Sequence, residues 1–143
     1  MKKATLSIVT GAVLGALSFV AWAQKPALTG LLPFSPARKA GATLYVSGQV
    51  ARKSNGEAVR DSLEAETRQV MENIGQVLKD NGYTFDDVVN ATVYLADIND
   101  YATMNNVYAS YFKNGFPARA CVGGVSLVAG FKVEVSCIAY KAN

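Results

Sequence analysis

Apolar positions along the chain change period several times, and each change marks an element. TLYVSGQV, Thr43 to Val50, is rich in β-formers and predicts a strand, with Gly48 a weak residue inside it. Ala51 to Val59 is polar, contains Asn55-Gly56, and predicts a turn or loop. Leu63, Thr67, Val70, Ile74, Val77 and Leu78 then recur at helical spacing, so Asp61 to Asp80 predicts a helix. Asp61 is placed to cap its first turn and Glu64, three residues on, to complete a capping box. Asn81-Gly82 ends it with residues that tolerate a left-handed conformation. Val88 to Leu95 predicts a strand with Val89, Ala91, Val93 and Leu95 on one face, and Asn90 and Thr92 on the other. Asn99 is placed to cap a second helix running to about Lys113, with Met104, Val107, Tyr108, Tyr111 and Phe112 as its apolar stripe. Asn114-Gly115 and Pro117 stop it. Ala118 to Val125 and Phe131 to Tyr140 predict two more strands. In the last, Phe131, Val133, Val135, Cys137 and Ala139 alternate with Lys132, Glu134, Ser136 and Ile138.

The order strand, helix, strand, helix, strand, strand is that of an α+β domain. Two helices can cover only one face of its sheet, so the other face meets water or another chain. Ahead of it, residues 24–40 carry Pro26, Pro33 and Pro36 without periodicity and predict an irregular lead-in with room for a short strand. The first 23 residues have another pattern. Lys2 and Lys3 precede an apolar run from Leu6 to Val20, and Ala21-Trp22-Ala23 follows as a small-x-small site. This predicts a secretory signal peptide over 1–23, a single mature domain over 24–143 starting at Gln24, and a periplasmic or secreted protein with no stable membrane anchor after cleavage.

Composition narrows the chemistry. A chain of 143 residues holds one ordinary domain, and 50% apolar residues suit a folded core. The net charge is +3, of which Lys2 and Lys3 supply two, so no basic block remains for nucleic-acid binding. There is no histidine, the commonest general base and metal ligand. Two cysteines do not make a zinc site, and the Asp86-Asp87 pair reads as a turn or cap rather than a metal site. What stands out is Arg119, inside an otherwise small and apolar strand, where a guanidinium needs a partner or a ligand. Alternation puts Cys121 on the same face as Arg119, and Glu134 lies mid-strand between Val133 and Val135. These residues offer a planar fork for a carboxylate, a carboxylate and a thiol. The same spacing also suits a structural Arg–Glu ion pair across the sheet, or two unrelated exposed residues on an edge.

FPARACVGG, Phe116 to Gly124, resembles the PARSCV or PARTCV signature of the RidA/YjgF family. KVEVSCIAY is similar to that family's VEIEAIA strand, LYVSGQV to its LxxSGQ strand, LPFSPARKAG to its GPYSQAVKAG segment, and DYATMN to its DFAxxN helix start. The resemblance runs from about Leu32 to Tyr140. It implies a mixed sheet with two helices on one face, the chorismate-mutase-like fold, assembled as a homotrimer with a cleft at each subunit interface. It implies hydrolysis of small 2-imino or enamino acids to 2-keto acids and ammonia, without metal or cofactor. Carried over by position, Arg119 binds the substrate carboxylate and Glu134 positions or activates water. Phe34, Ser47, Gly48, Asn105 and Cys121 line the pocket, Cys121 without acting as a nucleophile. Phe34 stands where the family segment has Tyr, and Leu127-Val128 where it has Leu-Pro. The family sheet sets another strand between those carrying Cys121 and Cys137, which implies no disulfide within a chain even in an oxidising compartment. A second class of function, a non-catalytic trimer that captures small carboxylates or protein partners in a chaperone-like role, fits the same fold.

Overall fold

The computed structural model describes residues 33–142, so the expected signal peptide over 1–23 and the new N-terminus at Gln24 lie outside the described residues. Among the described residues run five strands and two α-helices: β1 (Ala37–Ala40), β2 (Thr43–Val50), α1 (Leu63–Asp80), β3 (Val88–Leu95), α2 (Tyr101–Ala109), β4 (Ala118–Gly123) and β5 (Val133–Tyr140). The strands form one sheet in the order β1-β2-β5-β3-β4. The β3–β4 pair is parallel and the others are antiparallel, so the sheet is mixed.

β1 is the short strand for which the lead-in has room, and it returns through Gly41 into β2. β2 and β3 occupy the predicted residues. Helix α1 starts two residues later than expected. Its cap is Ser62 rather than Asp61, because the Ser62 hydroxyl, on extended backbone, reaches the Ala65 N–H at 3.1 Å. Asp61 lies one residue too early for that bond, and the expected pairing with Glu64 is absent. At the other end Gly82, at φ +82°, closes a Schellman turn: Tyr83 N–H donates to the Leu78 carbonyl at 2.9 Å and Gly82 N–H to that of Lys79 at 3.1 Å. Helix α2 is shorter than the pattern suggests. The expected Asn99 cap does not form: Asn99 lies inside a 3₁₀ turn over Ile98–Asp100, capped by the Asp97 carboxylate, which accepts the Asn99 N–H at 2.9 Å. Asp100 precedes the α-helix without a side-chain cap bond, and the helix ends at Ala109, leaving Tyr111 and Phe112 beyond it.

The face of the sheet under the helices carries Leu44, Val46, Ala91, Val93, Leu95, Val133, Val135, Cys137 and Ala139, all buried. Met71, Ile74, Leu78, Met104 and Tyr108 pack onto them from α1 and α2. Val89 departs from the expected alternation. A bulge between Val88 and Asn90 opposite β5 turns Val88 inward and leaves Val89 48% exposed. Two polar residues also enter the core from α1. Thr67 donates to the Leu63 carbonyl at 2.8 Å, and the Glu66 carboxylate accepts the Lys132 N–H at 2.8 Å. That bond ties α1 to the start of β5 and satisfies a carboxylate that would otherwise be costly to bury. The second face of the sheet carries Tyr45, Ser136, Ile138, Tyr140, Thr92, Tyr94 and Val122, and no helix of the described residues covers it.

Candidate functional site

Register decides where the candidate residues go. Arg119 pairs with Ala91 and Cys121 with Val93, both buried under the helices, so Arg119 and Cys121 share the helix-covered face. Glu134 pairs with Tyr94, one step off that register, and lies on the opposite face. The structure therefore separates Arg119 from Glu134 by the thickness of the sheet. A structural Arg–Glu ion pair within the chain does not form. The two residues instead belong to two distinct clusters.

The first cluster surrounds Arg119 on β4, an edge strand beside α2. A cleft of about 380 Å³ is lined by Asn105, Tyr108, Ala109, Phe116, Pro117 and Arg119. The guanidinium carbon sits 4.7 Å from the centre of the Tyr108 ring and 5.6 Å from that of Tyr101, and Nη2 donates to the Tyr101 hydroxyl at 3.2 Å. Stacking on aromatic faces holds the fork without neutralising it. No carboxylate pairs with Arg119 among the described residues, where the ion pair is Lys53–Glu57. Tyr108 is a buried floor. Its hydroxyl has no hydrogen-bond partner among the described residues, and burial pushes its pKa up to about 12, against the opposing pull of Arg119. Burial also raises the Cys121 thiol, which Arg119 only partly offsets, so the neutral thiol dominates near pH 7 and nucleophilic chemistry there is disfavoured. Phe112 stacks on Tyr108 at 4.8 Å and Phe116 follows at 6.1 Å, giving the cleft an aromatic wall.

The second cluster lies where β2 crosses β5. Between Val46 and Gln49 the β2–β5 register slips, and Ser47-Gly48 forms the irregularity. The Glu134 side chain packs on Gly48 so closely that a Cβ there would collide with its carboxylate. Gly48 thus contributes room rather than a polar group. The Ser47 hydroxyl and N–H both donate to the Pro36 carbonyl at 3.0 Å, which anchors the segment carrying Phe34 to the irregularity. Phe34 itself is 59% exposed. Of the sequence-predicted site residues, Arg119 and Asn105 line the cleft and Cys121 lies two residues along β4 on the same face. Glu134, Ser47 and Gly48 lie at the irregularity, to which the segment of Phe34 is tied through the Pro36 carbonyl.

Tyr108 and Tyr101 were not among the predicted site residues. Tyr108 fits the apolar stripe of its helix, and it serves the core and the cleft at once. The signal was present as spacing, since Tyr101, Asn105 and Tyr108 fall at i, i+4 and i+7, one face of a helix. Among the described residues no cluster of three metal-ligating side chains forms. What the first cluster can do chemically is bind a planar anion. What the second can do is present a carboxylate to water or to a proton-bearing group.

Residues 24–141 match the family described as Endoribonuclease L-PSP. A 2-iminobutanoate/2-iminopropanoate deaminase of Bos taurus is 42% identical over 123 residues, 85% of this chain and 88% of that protein. A RutC family protein of Pyrococcus horikoshii is 44% identical over 110 residues, covering 76% of this chain and 87% of the relative. Among solved structures, RidA from an Antarctic Psychrobacter superposes with a TM-score of 0.73 at 35% identity, over 78% of this chain and 90% of that one.

Proposed function

The chain belongs to the Endoribonuclease L-PSP family, the RidA/YjgF proteins, and from that premise we propose that it is a deaminase of small 2-imino acids, built as a homotrimer and exported to the periplasm or beyond. One observation carries the catalytic reading: an Arg119 guanidinium with no carboxylate partner among the described residues, seated on aromatic rings in a small cleft. A 2-imino acid has the planar carboxylate such a fork accepts in two parallel hydrogen bonds. Ala109, Phe116 and Pro117 beside it favour an apolar substituent. With the carboxylate held, water adds to the imine carbon and a proton passes to nitrogen. The C–N bond of the resulting carbinolamine then breaks, releasing ammonia and the 2-keto acid. Glu134 is the group to orient that water and take its proton. The imine carbon is already electrophilic, so positioning supplies much of the catalysis.

Separation of the two clusters supports the trimer. Arg119 and Glu134 lie on opposite faces of their own sheet, so a pocket using both draws them from two protomers. The uncovered face of the sheet, with Tyr45, Ile138, Tyr94 and Val122, offers the surface for that contact. Arg119 is the one cation among the six cleft residues, which suits a small anion better than a nucleic-acid backbone.

An assay that generates the imine with an amino-acid oxidase, in competition with semicarbazide, tests the reading. Wild-type protein lowers semicarbazone formation. Arg119→Ala abolishes that effect, losing on the order of a hundredfold or more in rate, and Arg119→Lys restores it only in part because it lacks the planar fork. If wild-type protein leaves semicarbazone formation unchanged for every imine tried, the carboxylate-capturing trimer replaces the deaminase.

A further inference from the structure

At the rim of the Arg119 cleft stands a hydroxyl with a proton to give, that of Tyr101. We infer that the Tyr101 hydroxyl is a second carboxylate-binding group of this site, donating to the same anion that Arg119 holds. The inference rests on the reading of Arg119 as the anion's seat.

Tyr101 opens α2, one turn before Asn105, and stands outside the six residues that line the cleft. Its hydroxyl oxygen accepts a hydrogen bond from Arg119 Nη2 at 3.2 Å. That bond occupies an oxygen lone pair and leaves the phenolic proton free, and among the described residues no acceptor takes it. Tyr101 is 43% exposed, whereas Tyr108, on the other side of the guanidinium, is buried. The cation is therefore held between a closed floor and an open rim, and the rim ends in an O–H.

A carboxylate docked on the fork uses two of its roughly four lone-pair sites on the two parallel N–H bonds. The remaining sites are open to another donor, and the Tyr101 O–H lies within hydrogen-bond distance of the fork itself. An O–H to carboxylate hydrogen bond is short and strong, and the cation already bonded to the oxygen strengthens it as a donor. Segment DYATMN has Tyr where the family segment DFAxxN has Phe, so this hydroxyl is a feature of this chain, which also carries Phe34 where the family segment has Tyr. Substrates with a full carboxylate are the class it selects over neutral amides or esters of the same skeleton.

Tyr101→Phe keeps the ring and its contact with the guanidinium and removes only the hydroxyl. Calorimetric titration of the full mature protein with 2-oxobutanoate is expected to show binding weakened about tenfold or more in the variant. Titration with 2-oxobutanamide, the uncharged analogue, is expected to change by less than about twofold, because the lost bond is to the charge. In the imine assay the effect falls on KM more than on kcat. A variant that binds 2-oxobutanoate as tightly as wild type overturns the inference. So does an equal loss for acid and amide, which marks a merely structural role, and so does a wild type that binds no 2-oxobutanoate at millimolar concentration. The titration needs no turnover. Weakened 2-oxobutanoate binding in a protein that hydrolyses no imine removes the deaminase reading and leaves the Tyr101 assignment standing.

Discussion

At the scale of single residues, Gly48 shows how a missing side chain shapes a site. Its backbone is not in the left-handed region, so alanine is tolerable to the chain itself. What alanine does not permit is the present place of the Glu134 carboxylate, because the added methyl group occupies it. Gly48→Ala is therefore expected to keep the fold, with a thermal midpoint within a few degrees of wild type, and to slow imine hydrolysis roughly a hundredfold, the scale on which an ångström of misplacement acts. Paired measurement of melting and turnover checks it, and unchanged turnover would show that Glu134 works from another rotamer. Arg119 shows the complementary device. Two tyrosine rings hold its charge in place without cancelling it, which a carboxylate partner would do.

At the scale of elements, β5 serves two functions with alternate residues. Val133, Val135, Cys137 and Ala139 bury under the helices, while Glu134, Ser136 and Ile138 line the uncovered face. Burial pushes the Cys137 thiol up to about 12, from an ordinary value near 9 in the unfolded chain. The sign follows from proton counts. Between about pH 9 and 12 the unfolded chain has released this proton and the folded one has not, so unfolding is favoured as pH rises. The contribution is fully present below pH 9 and fades through 12. Cys137→Ala is expected to flatten the fall of the urea midpoint over that window relative to wild type, whatever its effect at neutral pH. An identical slope in the variant would place the alkaline sensitivity elsewhere, Tyr108 being the next group raised to about 12. Cys121 and Cys137 are both free, on strands with β3 between them. Two strand spacings, about 10 Å, exceed the reach of a disulfide, about 7 Å between Cα atoms.

At the scale of the whole molecule, the proposed assembly accounts for a sheet covered on one face and for Arg119 and Glu134 lying on opposite faces of it. Protein recovered from the exported fraction is expected to begin at Gln24 by intact mass, without the leader that holds the sole tryptophan, Trp22. Light scattering at micromolar concentration is expected to give about three times that chain mass. A monomer would leave Arg119 and Glu134 in separate places and remove the shared pocket. Retained tryptophan emission would show an uncleaved leader.

Period and punctuation alone determined the order from β2 to β5, the strands over Thr43–Val50 and Val88–Leu95, and the end of α1 at Asn81-Gly82. Those features depend on side-chain direction and backbone preference within a few residues of one another. The oddness of Arg119 was legible for the same reason, since a guanidinium among small apolar residues is a local conflict. Exact caps were not legible, because Ser62 and Asp61 are both competent and only the backbone entering α1 selects between them. Nor was the inward turn of Val88, which arises from a bulge against a strand some fifty residues later in the chain. The separation of Arg119 from Glu134 was decided by tertiary structure alone. Each residue's face is fixed by counting along its own strand, but their relation depends on β3 pairing with both β4 and β5, and that register exists only once the sheet has formed.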